Sequence, residues 1–118
     1  IFYETKFKYI DISYWDVSNV TNMRCMFFGC EGLKSVGDIS KWDVSSVTDM
    51  SYMFCDCCSL NQNLSEWNVS NVTDMMYMFY KCKSFNQDIS GWNVSNVIDA
   101  SNIFDACPIK EKYKPKFK

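Results

Sequence analysis

The fold of this chain is decided by a sequence motif that runs from Trp67 to Cys82 and reads WNVSNVTDMMYMFYKC. The same motif, with small changes, recurs at intervals of 27, 25 and 25 residues. A fixed period in this range is typical of repeat proteins, because one unit cannot bury its apolar face alone and must pack on its neighbours. Four units therefore follow one another, and they begin at Trp15, Trp42, Trp67 and Trp92.

Each unit carries its apolar residues in the same order, so stacked units would place each apolar side chain on the equivalent side chain of the next unit. The shared residues are a tryptophan, two valines, two methionines, a phenylalanine and a cysteine. The fourth unit departs from the pattern, with Ile98 in place of threonine and Ala100 in place of methionine. This repetition predicts a solenoid whose narrow interior is filled by columns of identical side chains.

The spacing inside a unit predicts one short helix and short strands. In the second unit, Met50, Met53, Phe54 and Cys57 stand at i, i+3, i+4 and i+7, which is one face of a two-turn helix. Short apolar segments bounded by polar residues favour brief parallel strands, at 64–67 and at 85–89. The predicted fold is therefore an α/β repeat solenoid of about four coils, each with short parallel strands and one short helix. The helices would begin near Met23, Met50, Met75 and Ala100, with a threonine or aspartate before them as N-cap.

The chain divides into three parts in this interpretation. Residues 1–14 form a partial repeat that caps one end, residues 15–107 hold the repeat units, and residues 108–118 form a Lys-rich tail. Without residues 109–118 the chain has 7 basic and 13 acidic residues, so the body carries about −6 and the tail about +4. The tail could cover the last coil and block edge pairing, or it could tether the protein to an acidic surface.

The residues from Val72 to Phe85, Val-Thr-Asp-Met-x-x-Met-Phe-x-x-Cys-x-Ser-Phe, resemble the BspA-like class of leucine-rich repeats. They are more similar still to the bacterial surface-protein and lipoprotein repeat of about 25 residues. The match is clearest from Trp67 to Trp92 and extends over Ile10 to Cys107. The resemblance implies a leucine-rich-repeat-like solenoid. It also implies surface display, adhesion or protein–protein interaction, at the cell surface or outside the cell.

Composition weighs against several classes of function. The net charge of −2 does not favour nucleic-acid binding, and no apolar run reaches the ~18 residues of a membrane span. The chain has no histidine, the commonest general base and metal ligand. Its acidic and serine positions are repeated from unit to unit, whereas a catalytic site is a unique constellation. We therefore expect a protein that is not an enzyme and has no cofactor and no metal site.

Seven cysteines leave the redox compartment open. Four of them recur on the apolar face of the repeat, where a free thiol behaves as a small buried hydrophobe, and such a column cannot converge on zinc. The repeated cysteines are Cys30, Cys57, Cys82 and Cys107. The other three, Cys25, Cys55 and Cys58, occupy variable positions and are expected to be exposed or half-exposed, so a disulfide among them remains an alternative.

Variation at exposed positions favours recognition of a partner, whereas repetition favours a spacer. The surface of the predicted helix varies between units, while the Val-Ser-Asn-Val surface is nearly constant. Tyr52, Tyr77 and Tyr80 are the candidate partner contacts, because tyrosine is enriched at interfaces. We predict a non-enzymatic protein–protein interaction or adhesion module. The alternative is a structural spacer or an assembly component that packs against neighbouring copies.

Overall fold

Hydrogen bonds between successive units, rather than helices or a sheet, organise this chain. The computed structural model describes Phe2 and residues 6–117, which fill a body of 36 × 31 × 19 Å. Ile1, residues 3–5 and Lys118, which belong to the predicted terminal segments, lie outside the described residues. In the part of the chain that is described, no helix is long and apolar enough to cross a membrane.

The predicted α/β solenoid with a helix and strands in each coil is wrong. The described residues contain one 3₁₀ turn, Glu111–Tyr113, and neither an α-helix nor a β-strand. Extended pairing is limited to isolated parallel bridges. Those bridges join Tyr9 to Ser35, Asn22 to Asp49, Asp49 to Asp74 and Asp74 to Asp99.

The segments predicted to be helical are chains of tight turns. In the second unit, the backbone N–H of Met53 donates to the carbonyl of Met50, and that of Cys57 donates to the carbonyl of Phe54. Tyr52 and Asp56 adopt left-handed backbone angles, with φ of 60° and 65°. A right-handed helix cannot contain such residues, and each costs roughly 1–2 kcal/mol relative to a right-handed one.

The bonds between units offset that cost. Alternate backbone N–H groups of one unit donate to carbonyls of the next unit, at 2.7–3.0 Å between the second and third units. Equivalent bonds join the first unit to the second and the third unit to the fourth. Every second peptide group in this segment therefore lies along the stacking direction. The donor and acceptor pairs of the second and third units are Met50 to Asp74, Tyr52 to Met76, Phe54 to Met78 and Asp56 to Tyr80.

The core consists of side-chain columns, as the repetition of like residues predicts. The repeated methionines of the second and third units, Met50, Met53, Met75 and Met78, are fully buried. Five phenylalanine rings stack with centroids 5.5–5.8 Å apart. The indole N–H of Trp67 donates to the carbonyl of Ile39 at 2.9 Å, and that of Trp92 donates to Leu64 at 2.9 Å. The stacked phenylalanines are Phe2, Phe27, Phe54, Phe79 and Phe104.

The Lys-rich segment packs on the last two units. Ile109 is buried, and the backbone N–H of Ile89 donates to the carbonyl of Tyr113 at 3.0 Å. The ammonium of Lys114 lies 5.4 Å from the ring centroid of Phe104, at the end of the phenylalanine column, and pairs with Glu111 at 2.8 Å. This packing is consistent with the first of the two predicted roles, cover for the last unit.

Candidate functional site

The three candidate contact residues come together on one surface. The rings of Tyr52 and Tyr77 stack with centroids 5.0 Å apart and an interplanar angle of 1°. The ring of Tyr80 lies 5.0 Å from that of Tyr77. All three side chains are half-buried. We call the surface that they form with their neighbours the tyrosine face; its members are Arg24, Phe28, Tyr52, Asp56, Tyr77, Tyr80 and Lys81.

The repeat itself positions these rings. Tyr52 and Tyr77 occupy the same place in successive units, and both have a φ of 60°. The backbone N–H of Tyr52 donates to the carbonyl of Met76 at 2.9 Å, so the two backbones lie one above the other. Equal backbone conformations at equal positions direct the two side chains the same way, and the rings therefore stack in parallel.

Cations and a further aromatic ring border the tyrosines. The guanidinium of Arg24 lies 5.0 Å from the ring centroid of Tyr52 and donates to the hydroxyl of Ser51 at 2.9 Å. Phe28 meets the same tyrosine edge-on, with centroids 6.2 Å apart. The ammonium of Lys81 lies 5.4 Å from the ring centroid of Tyr80. The faces of the outer rings are thus covered within the molecule, and tyrosine edges remain for contact.

Opposite charges occupy one position of the repeat in adjacent units. Asp56 and Lys81 both have left-handed backbones, with φ of 65° and 59°. The N–H of Asp56 donates to the carbonyl of Tyr80 at 2.7 Å, which makes the two residues neighbours. Among the described residues, neither side chain joins a salt bridge within the chain. The sequence prediction missed both, although aligning the units shows Gly29, Asp56, Lys81 and Ala106 at this position.

Three of the four repeated cysteines are buried, and the fourth, Cys107, is half-buried. The thiol of Cys57 donates to the carbonyl of Phe27 at 2.8 Å, and that of Cys82 donates to the carbonyl of Phe54 at 2.9 Å. Cys30, Cys57 and Cys82 are buried and none of them forms a disulfide, which confirms the prediction made for them. A thiol contact with Cys30 and burial raise the pKa of Cys57, and burial raises that of Cys82.

The variable cysteines differ from expectation at one position. Cys25 and Cys58 are half-buried, as predicted, but Cys55 is only 5% exposed. Burial, followed by the neighbouring Asp56, raises the pKa of the Cys55 thiol to about 11. These three thiols are also free. The disulfide alternative is therefore not formed in this structure.

One group of side chains has the spacing of metal ligands. Ligand atoms of Glu31, Asp56 and Cys58 lie within 4.8 Å of one another at the edge of the tyrosine face. Burial and Asp56 raise the pKa of the Cys58 thiol, which favours the protonated form over the thiolate that binds metals. The three groups are exposed or half-buried, and the sequence prediction did not single out Glu31.

The repeated carboxylates stabilise turns. The carboxylate of Asp16 accepts hydrogen bonds from the hydroxyl of Ser18 at 2.6 Å and from its backbone N–H at 3.0 Å. The same pair recurs at Asp43 and Ser45. The serine hydroxyl and backbone N–H lower the pKa of Asp16 and of Asp43. This is the local turn chemistry expected of aspartate, and in both pairs it engages the Oδ1 atom.

Comparison with known proteins identifies the family of this chain. Neither a curated protein nor a solved structure matches the chain. A family profile matches residues 1–115, nearly the whole chain. The chain belongs to the family described as "Mycoplasma protein of unknown function, DUF285".

Proposed function

We propose that the chain is a non-enzymatic protein–protein interaction module whose contact surface is the tyrosine face. The observation that carries this proposal is the contiguous cluster of Tyr52, Tyr77 and Tyr80, bordered by Arg24 and Phe28. Tyrosine, phenylalanine and arginine are the residue types enriched at protein interfaces and depleted elsewhere on surfaces.

Preorganisation supports the same proposal. The tyrosine rings are already fixed by their stacking and by the hydrogen bonds of the backbone that carries them, so binding a partner would cost little side-chain entropy. The tyrosine face is also the part of the repeat that varies, since the position of Tyr52 and Tyr77 holds Cys25 and Asn102 in the outer units. A surface that serves only as a spacer has no need of such variation.

The likeness to the BspA-like repeats points to display at the cell surface and to adhesion, and both belong to this proposal. The runner-up is a spacer or assembly component. It draws on the constant polar surface, where Asn71 donates to the carbonyl of Ser45 and Asn96 to that of Ser70, both at 2.7 Å. Because those asparagine side chains already form hydrogen bonds within the molecule, we place recognition of a partner by the tyrosine face ahead of the spacer role.

Site-specific photo-crosslinking tests the proposal. A photoreactive phenylalanine analogue replaces Tyr77 in one variant and Tyr14, which is 80% exposed and off the tyrosine face, in the matched control. We expect the same discrete adduct from Tyr77 and from Tyr52, identified by mass spectrometry after crosslinking in the native source, and none from Tyr14. Equal crosslinking from all three positions would overturn the proposed surface.

A further inference from the structure

We propose that the partner recognised by the tyrosine face is a second copy of this chain, bound antiparallel. This inference rests on the proposed function and names its partner. The evidence is the reversal of charge between Asp56 and Lys81, which share one position of the repeat in adjacent units.

The geometry follows from the stacking. A half-turn about an axis that lies in the tyrosine face, perpendicular to the stacking direction, exchanges the second unit with the third. Asp56 of each copy then faces Lys81 of the other, and Tyr52 faces Tyr77. One isologous interface would thus contain two reciprocal ion pairs, both on the same side of the stacked tyrosines.

The alternative half-turn, about an axis along the stacking direction, does not match the charges. It places each unit against the same unit of the second copy. Within a pair of facing units, the residues of the two copies then run in opposite directions across the face. Asp56 would then face the side on which Ser51 lies, and Lys81 the side of Met76. Neither charge would meet an opposite one, so the antiparallel arrangement is the one that charge complementarity selects.

Other charges on the face fit the same pairing. The two end units approach each other in the antiparallel arrangement, which brings the first unit of one copy, with Phe28, against the fourth unit of the other. Asp105 lies in that fourth unit at the same repeat position as Phe28, so it would face an uncharged side chain of the other copy. The face therefore carries no like-charge contact between the copies at these positions.

Charge-swap variants test the pairing directly. Asp56→Lys and Lys81→Asp each place a residue in a backbone conformation that the same residue type already adopts in the adjacent unit, so both should fold. Each single variant sets like charges against each other at both pairs. We expect sedimentation of either variant alone, from about 1 µM to about 1 mM, to show dimerisation at least about tenfold weaker than that of the parent chain.

Mixing the variants restores the complementarity. In a mixed dimer of Asp56→Lys with Lys81→Asp, each of the two pairs contains one lysine facing one aspartate, so heterodimers should form with an affinity close to that of the parent. The double variant carrying both changes should dimerise by itself for the same reason. The control is Lys34→Asp, which changes the charge by the same amount as Lys81→Asp at an exposed residue outside the tyrosine face. It should leave dimerisation unchanged.

A parent chain that stays monomeric across this range, or single variants that are not rescued by mixing, would overturn the self-recognition. Such a result is distinguishable from failure of the proposed function. Crosslinking from Tyr77 to a different protein would then retain the interaction surface while replacing its partner. An adduct of two chains that links Tyr77 of one copy to Tyr52 of the other, in contrast, would support the antiparallel pair; its doubled mass separates it from a link within one chain, where the two rings lie 5.0 Å apart.

Discussion

At the scale of single residues, the chain is held in shape by short polar turns and by buried thiols. In the Asp-x-Ser turns, the carboxylate accepts hydrogen bonds from the hydroxyl and the backbone N–H of the serine two residues later. The repeated cysteines satisfy carbonyl groups that face the interior, a role that a simple hydrophobe of similar size could not fill. The turns and the thiol hydrogen bonds recur from unit to unit, so their small contributions to stability add along the stack.

The lowered carboxylate pKa values predict loss of stability in acid. A group whose folded pKa is depressed stabilises the protein above its unfolded pKa of about 4, and that contribution is lost as pH falls through the lower folded pKa. We expect the melting temperature to fall below about pH 4 as these carboxylates protonate. The contributing groups are Asp11, Asp16, Asp38, Asp43, Asp88 and Asp99.

Removing one serine isolates the cause. Ser18→Ala should bring the pKa of Asp16 back toward its ordinary value, which carboxyl chemical shifts in an NMR titration would report. Ser70→Ala is the matched control, since its partner is the neutral Asn68, whose amide oxygen accepts the N–H of Ser70. A melting curve independent of acid in both variants and in the parent would contradict the assignment.

Cys57 offers a test of the buried thiol column. Cys57→Ala removes buried apolar volume and leaves the carbonyl of Phe27 without its donor, so we expect a loss of about 1–3 kcal/mol in the free energy of unfolding. Cys57→Ser keeps a donor and should lose less. Denaturant titration measures both, and because no cysteine forms a disulfide, reductant should leave the parent midpoint unchanged. A midpoint that falls with reductant would show a covalent bond in the column.

At the scale of the element, the decisive structure is a ladder of tight turns with left-handed residues at fixed places. The positions filled by Tyr52, Tyr77 and Asn102 have φ of 57–60°, and those of Asp56, Lys81 and Ala106 have φ of 58–65°. Side chains are tolerated there because neighbouring units supply hydrogen bonds to the peptide groups on either side. Where no further unit follows, in the fourth unit, that compensation is smaller.

Replacement by glycine should therefore have opposite effects at two alanines of the fourth unit. Ala106→Gly relieves a left-handed backbone with φ of 58° at an exposed site, and we expect it to stabilise the protein by up to about 1 kcal/mol. Ala100→Gly, at a residue outside the positive-φ set, should destabilise it by a similar or smaller amount. Thermal melts of both variants check the pair, and stabilisation at both positions would contradict the turn structure.

The repeat register could be predicted from the sequence, but the local conformation could not. Met50, Met53, Phe54 and Cys57 have the spacing of a two-turn helix, and the turn ladder buries the same residues. A pattern this short does not separate the two, because what decides between them is whether peptide groups bond within the segment or to the next unit. The second choice requires neighbouring units in register, which local spacing does not report.

The candidate site was predictable to a similar extent. Variation between units drew attention to Tyr52, Tyr77 and Tyr80, and the structure places these rings together. Arg24, Phe28 and Lys81 were missed, because their contacts with the tyrosines depend on left-handed turns that the helix prediction excluded. Once the turn is known, aligned positions of successive units predict which side chains stack.

At the scale of the whole molecule, the chain is ordered without regular secondary structure. Thirty-two hydrophobic residues are buried among the described residues, enough for a continuous interior through all four units. We therefore expect a far-UV circular dichroism spectrum that lacks the paired minima of an α-helix, together with a cooperative thermal transition followed by tryptophan fluorescence. A helical spectrum would contradict the turn ladder, and a gradual transition would contradict the shared core.

The columns of peptide groups that join the units have an electrical consequence for the molecule. In four of these columns, which begin at Met23, Cys25, Phe27 and Gly29, the N–H groups point from the first unit toward the fourth and the carbonyls point back. One column, which begins at Thr21, points the opposite way and offsets only part of their sum. Peptide dipoles aligned in this way add together, as they do along a helix, and four such columns lie side by side. The body thus has a positive pole at its fourth unit and a negative pole at its first, although it contains no helix to supply them.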